Sequence, residues 1–271
     1  MTKSPGRPFE ALVGVAAAVA FCFLLLPILA LFLHTTPGQL WEGWSTPEAR
    51  DALAVSVRTS ALAHVFILLV GTPVAYLLAI RRFPGRTVAI ALVELPLVLP
   101  PAVAGIALLA AFGRTGLLST SLPVTQAAVV LAVIFVASPF YMRQGIAAFE
   151  AIDREVLDAA RTLGAGSWRT FWRVAVPLAA RGLGAGSALA FARGLGEFGA
   201  TIMFAGSLQG VTQTLPLAIY AQIGVDRDVA IAIGALLVIV SAILLIAVKL
   251  LSLWEPLRLI STFRSATSPS R

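Results

Sequence analysis

The apolar residues of this chain come in runs of about 20, and that grouping limits the fold more than any other feature. A bilayer core about 30 Å thick needs roughly 20 apolar residues to be crossed as a helix, and every backbone N–H and C=O inside it must be satisfied internally. Six runs qualify: 11–33, 52–80, 88–112, 123–141, 183–204 and 229–251. The chain is 59% hydrophobic and 12% charged, where soluble domains carry about 25% charged residues. The expected fold is an all-α polytopic membrane protein with six transmembrane helices. The first run is too long for a signal-peptide core of about 7–15 residues, and no A-x-A-like site follows it, so it reads as a retained span.

Charge orients the bundle. Fifteen of the 20 basic residues fall before span one, between spans two and three, between spans four and five, or from the last turn of span six (Lys249) onward. The alternate loops hold only Arg50, Arg114 and Arg227, while Arg58 and Arg193 lie within spans. The positive-inside rule then places both termini and the 142–182 connection in the cytoplasm. The net charge of +7 is therefore topological, and no nucleic-acid partner is implied. One cysteine, Cys22, and two histidines, His34 and His64, argue against a disulfide or a zinc site. Neither lysine follows a glycine, so no Gly-Lys-Ser/Thr phosphate loop is present. The chain is expected to be no enzyme, to carry no cofactor, and to hydrolyse no ATP by that route.

A polar, helix-forming stretch between spans four and five is the anomaly. Asp153 is placed to cap a short helix, with Val156, Ala159, Ala160 and Leu163 at helical spacing; Gly164 and Gly166 end it. Ser167 is placed to cap a second helix bearing Trp168, Phe171, Trp172 and Val176, and Pro177 marks re-entry toward the membrane. Two readings stand on these residues alone: a helix lying on the lipid surface, or a docking element for a cytoplasmic partner.

Asp158-Ala159-Ala160, three residues, Gly164, nine residues, then Val174-Ala175-Val176-Pro177 resembles the signature of type I ABC-importer permeases, Glu-Ala-Ala-x3-Gly-x9-Ile-x-Leu-Pro. Asp158 stands for the glutamate, and valines stand for the isoleucine and the leucine. The stretches 95–118, 192–206 and 212–220 resemble the permease subunit of molybdate importers and, more loosely, sulfate and tungstate permeases. This resemblance implies that the 150–178 loop is a coupling helix seated in an ATPase subunit, with Asp158, Ala159, Ala160, Gly164 and Pro177 as its marked positions. It also implies a homodimer, two ATP-binding subunits and an extracytoplasmic substrate-binding protein. The domain division expected is 1–51 as first helix and outer loop, 52–252 as permease domain and 253–271 as cytoplasmic tail.

Span five carries Arg193 and Glu197 four apart on one helix face, where isolated charges cost several kcal/mol. With Thr201 they are the candidates for an ion pathway or gate; the alternative is a structural pair among packing glycines. Glu197 repels a dianion, which favours gating or fixing Arg193 over ligand contact. Glu94, ahead of Pro96, Pro100 and Pro101, sits in a span that must bend or break, either satisfying freed backbone or lining a cavity. Arg58 is placed to snorkel to headgroups, His64 to pack as a hydrogen-bonded neutral imidazole, and Trp41 and Trp44 to join an interfacial belt. A stand-alone secondary transporter or channel is the reading of a different class, though it offers no ATPase to receive the 158–177 signature.

Overall fold

The chain folds as one helical bundle, and the computed structural model describes the backbone of residues 7–266 and the side chains at 9–247 and 250. Lys3 and Arg271 lie outside the described residues, as do the side chains of Lys249, Arg258 and Arg264, all used above for orientation. In order, the helices are α1 (Arg7–Leu33), α2 (Pro37–Ser45), α3 (Pro47–Ile80), α4 (Arg86–Val98), α5 (Pro101–Phe112) and α6 (Gln126–Glu150). They continue as α7 (Arg154–Thr162), α8 (Ser167–Thr170), a π-helical turn Phe171–Ala175, α9 (Val176–Leu195), α10 (Gly199–Ala205), α11 (Leu215–Gln222) and α12 (Arg227–Ala266). Among the described residues five continuous helices are long and apolar enough to cross a bilayer, and α4 with α5, bent by 115°, pass the same test together and bring the number up to six.

The prolines explain that bend. A residue before proline is pushed out of the α region; Leu99 (φ −72, ψ 133) and Pro100 (φ −55, ψ 136) each precede one. Pro101 then opens α5, where its missing N–H costs nothing.

Span five departs from the 183–204 expectation. Its helix starts at Ser167 and runs without a break to Leu195, and residues 199–205 form a separate short helix. The second amphipathic helix is thus the first part of span five, and Ser167 does not cap it: Gly166 holds the N-cap position without a side-chain bond. Pro177 neither breaks nor starts a helix. The preceding turn widens to π geometry, with Val176 N–H reaching Phe171 O, five residues back. A widened turn relieves the clash between a proline ring and the carbonyl four residues earlier. Apolar periodicity misses all this because Arg169, Arg173 and Arg181 interrupt the hydrophobic run. Span four likewise runs on past 141 to Glu150, as a polar extension carrying Arg143 and Gln144.

α6 is the central helix, packed most extensively against α3 and α9. Small residues let the backbones close in. A Cβ on Gly182 would stand 2.4 Å from Ala148 Cβ, and one on Gly194 2.9 Å from Val133 Cγ1. A second apolar cluster joins α5, α6 and α10, and a third joins the start of α3 to α11 and α12. Trp44 packs inward: its indole N–H donates to Ala232 O at 2.7 Å, clamping α2 onto α12, while Trp41 stays exposed. Among the described residues α1 has no buried stretch in its apolar run and packs on the bundle chiefly along α12.

Candidate functional site

At one end of the bundle α7 is built from its caps inward. The Asp153 carboxylate accepts from Glu155 N–H at 3.0 Å, satisfying one of the orphan donors of the first turn. Gly164 has φ +85, a conformation costly to residues with a side chain. Gly164 N–H donates to Arg161 O at 2.9 Å and Ala165 N–H to Ala160 O at 3.0 Å, the paired bonds of a Schellman C-cap. Of the marked positions, Asp158, Ala159, Ala160 and Gly164 therefore share one capped helix, while Pro177 lies on the next one.

One side chain anchors this helix. Leu157 is buried and belongs to the main core cluster, which also holds Phe149 of α6, Phe171 and Ala175. Full burial of a leucine is worth about 1.5–3 kcal/mol. Tyr76 and Phe171, with ring centroids 4.9 Å apart, tie the same corner to α3. The opposite face is open: Asp158 pairs with Arg161 at 2.9 Å on the surface, and Leu163 is 88% and Trp168 74% exposed. Large apolar side chains beside an exposed polar helix suit a protein partner better than water.

Far along the same helical rod, Arg193 Nη1 stands 2.6 Å from Glu197 Oε2, an ion contact angled away from a straight hydrogen bond. Glu197 Oε1 accepts from Ala200 N–H at 2.7 Å and so caps α10. The carboxylate, fully buried, thus joins the end of α9 to the start of α10 across the break at 196–198. Thr201 is buried with its hydroxyl unpartnered.

Arg193 also lines a cavity of about 140 Å³ with Pro96, Leu97, Leu99 and Pro101, so it faces the kink of the α4–α5 span. The two broken spans meet there. A Cβ on Gly199 would come within 2.6 Å of Pro101 Cβ, and one on Gly105 within 2.8 Å of Ala200 O. Sequence reasoning marked the prolines and glycines separately but not this convergence; paired kinks in two spans were the available signal. It used 212–220 only for a resemblance and gave no structural role to the 206–214 loop, whose Thr212, Gln213 and Thr214 are buried. Ser56 of α3 accepts from Leu215 N–H at 2.7 Å, pinning the loop's end.

The other intramembrane polar residues are simpler. Glu94 faces Arg143 of α6 at 3.6 Å rather than freed backbone. His64 Nε2 lies 2.8 Å from Ser187 Oγ on α9. Arg58 is exposed and, among the described residues, pairs with no carboxylate.

Residues 67–253 match the family described as binding-protein-dependent transport system inner membrane component. The chain belongs to that family. The match takes in the α7 segment and both broken spans and removes a stand-alone transporter or channel from consideration. Over 247 residues the chain is 44% identical to the molybdenum transport system permease protein ModB of Mycobacterium tuberculosis, covering 87% of this chain and 92% of that one. It is 33% identical to the sulfate transport system permease protein CysT of Escherichia coli over 254 residues, 90% of this chain and 92% of that one. A bacterial ABC transporter for alginate import shares the fold at TM-score 0.74 and 15% identity, covering 91% and 96% of the two chains.

Proposed function

We propose that this chain is the membrane-spanning permease subunit of an ATP-driven importer that moves molybdate by alternating access. The observation that carries the substrate is the 44% identity to a molybdenum permease across most of both chains, against 33% for a sulfate permease. ATP is hydrolysed by a separate subunit, present in two copies. A second copy of this chain completes the membrane pore, an extracytoplasmic binding protein delivers the anion, and lipid surrounds α1. Both termini and α7 face the cytoplasm, on the charge asymmetry of the loops.

The geometry supports a mechanism for coupling. α7, with Asp158, Ala159, Ala160 and Gly164, is the docking helix, and the exposed Leu163 and Trp168 enlarge the surface that the ATPase grips. A single helical rod from Ser167 to Leu195 places that surface and Arg193 about 40 Å apart on one body, at 1.5 Å per residue. Closure of the ATPase pair, gripping both α7 and the foot of this rod, tilts it. The Arg193–Glu197 contact and the α4–α5 kink that faces it then shift together. Arg193, Glu197 and Thr201 form the gate in this reading, with Arg193 supplying positive potential and Glu197 holding it.

The test is uptake into vesicles carrying the chain with its ATPase and binding protein, compared across molybdate, tungstate and sulfate. Molybdate uptake that requires ATP and outpaces sulfate is expected. Sulfate uptake exceeding molybdate would overturn the substrate, and ATP-independent flux would overturn the coupling.

A further inference from the structure

A second cavity, of about 290 Å³, lies at the α7 end of the bundle, far from the Arg193 kink. It is assembled from two stretches that are distant in sequence: 79–86, from the end of α3 to the start of α4, and 149–154, from the end of α6 to the first residue of α7. Arg82, Arg86 and Arg154 line it against a single carboxylate, Glu150, leaving a surplus of two positive charges. Arg86 is already committed: it pairs with Glu150 and donates from Nε to Leu78 O at the end of α3. Among the described residues Arg82 and Arg154 pair with no carboxylate. Asp153, next to Arg154, turns its carboxylate to Glu155 N–H instead. Two free guanidiniums beside a held third make a cradle for a phosphate group, which planar guanidinium forks suit well.

The surroundings distinguish a lipid phosphate from a free one. Ile80 and Ile152 form an apolar wall of the cavity. α4 begins at Arg86, and from there Val88, Leu92 and Leu95 are exposed at 61%, 63% and 49%, spaced four and three apart on one face. That strip gives acyl chains a track leading away from the arginines into the hydrocarbon. Arg82 and Arg86 follow directly on the apolar run 52–80, on the side where the loops are basic, which favours contact with the headgroups of that leaflet. We propose that it binds the headgroup phosphate of an anionic phospholipid. The lipid would bridge the α3–α4 connection to Arg154 and so steady the first turn of the docking helix.

The experiment uses the full-length chain assembled with its ATPase partner in a neutral detergent, with bound phosphatidylglycerol and phosphatidylcholine counted by native mass spectrometry. Each arginine near an anionic headgroup is worth about fivefold in affinity, so Arg82→Gln with Arg154→Gln should weaken phosphatidylglycerol roughly thirtyfold. Phosphatidylcholine should be unaffected, and Arg82→Lys with Arg154→Lys should keep most of the binding, which separates lost charge from a damaged fold. Arg114→Gln with Arg227→Gln removes the same charge elsewhere and should change nothing. Equal phosphatidylglycerol retention by the glutamine pair and the wild type would overturn the site, as would an equal loss in the Arg114/Arg227 control. Displacement of the lipid by millimolar inorganic phosphate would overturn the lipid assignment and leave a site for a free tetrahedral oxyanion.

Discussion

Gly164 and Gly166 stand two residues apart, and in neither case would an added Cβ meet any atom within 4 Å. They differ only in backbone: Gly164 has φ +85, whereas Gly166 has φ −64 and ψ 164, which any residue adopts. Substituting both with alanine therefore separates conformation from contact. A left-handed backbone costs a residue with a Cβ about 1–2 kcal/mol, and a β-branched one more. That cost competes with the burial of Leu157, worth about 1.5–3 kcal/mol, which is the main apolar anchor of α7. Gly164→Ala should thus cut the population of correctly ended docking helix by a factor of about 5–30. Gly164→Val should lose more, Gly164→Asn less, and Gly166→Ala should behave as wild type. Insertion and span packing are untouched, since Gly164 lies outside every core cluster. Transport-stimulated ATP hydrolysis of the reconstituted complex, normalised to assembled protein, should follow the order Gly, Asn, Ala, Val. Full stimulation in Gly164→Val, or a loss in Gly166→Ala equal to that in Gly164→Ala, would refute the argument that the left-handed cap sets the docking geometry.

Glu197→Gln keeps an acceptor for Ala200 N–H but leaves Arg193 uncompensated; molybdate uptake in proteoliposomes should fall about tenfold with assembly normal, less than for a fully buried pair because Arg193 is partly exposed. The reversed pair, Arg193→Glu with Glu197→Arg, balances charge but moves the guanidinium one turn and removes the α10 cap, so uptake should stay low; wild-type flux in both variants would reduce the pair to packing. Gly105→Ala puts a Cβ 2.6 Å from Met203 Cβ and 2.8 Å from Ala200 O, and overpacking of this kind costs about 1–3 kcal/mol. Thermal unfolding of the purified complex should show that loss, with Gly224→Ala, which meets nothing within 4 Å, as the neutral control. In a Cys22→Ala background, Ser207→Cys should label from outside intact cells and Ser167→Cys only after permeabilisation; the opposite pattern would invert the orientation.

How much of this was legible in advance depends on whether the information is local. The α7 helix could be read from Asp153, the apolar spacing and Gly164, because caps and a left-handed terminus act within a few residues. The α4–α5 break was legible for the same reason, since consecutive prolines exclude helix whatever surrounds them. The continuity of the second amphipathic helix with span five was not. Arg169, Arg173 and Arg181 interrupt the hydropathy and Pro177 reads as a boundary, whereas the π turn Phe171–Ala175, with Phe171 and Ala175 buried in the main core cluster, carries one helix through to Leu195.

The sequence by itself determined the solvent, the number of spans, the polar helical segment between spans four and five and the prolines at which span three breaks, because each follows from hydropathy or backbone chemistry within one stretch of chain. Tertiary structure alone decided which breaks meet. Arg193 faces the Pro96–Pro101 kink because Gly199 and Gly105 let α10 and α5 approach almost backbone to backbone, and that contact joins residues about a hundred positions apart. The basic cavity was likewise invisible: Arg82 and Arg86 lie in one stretch, between the end of α3 and the start of α4, and Glu150 and Arg154 in another far along the chain, at the end of α6 and the start of α7. Their charges count as one group only once α3, α6 and α7 have packed, since electrostatic coupling depends on distance through space and not along the chain.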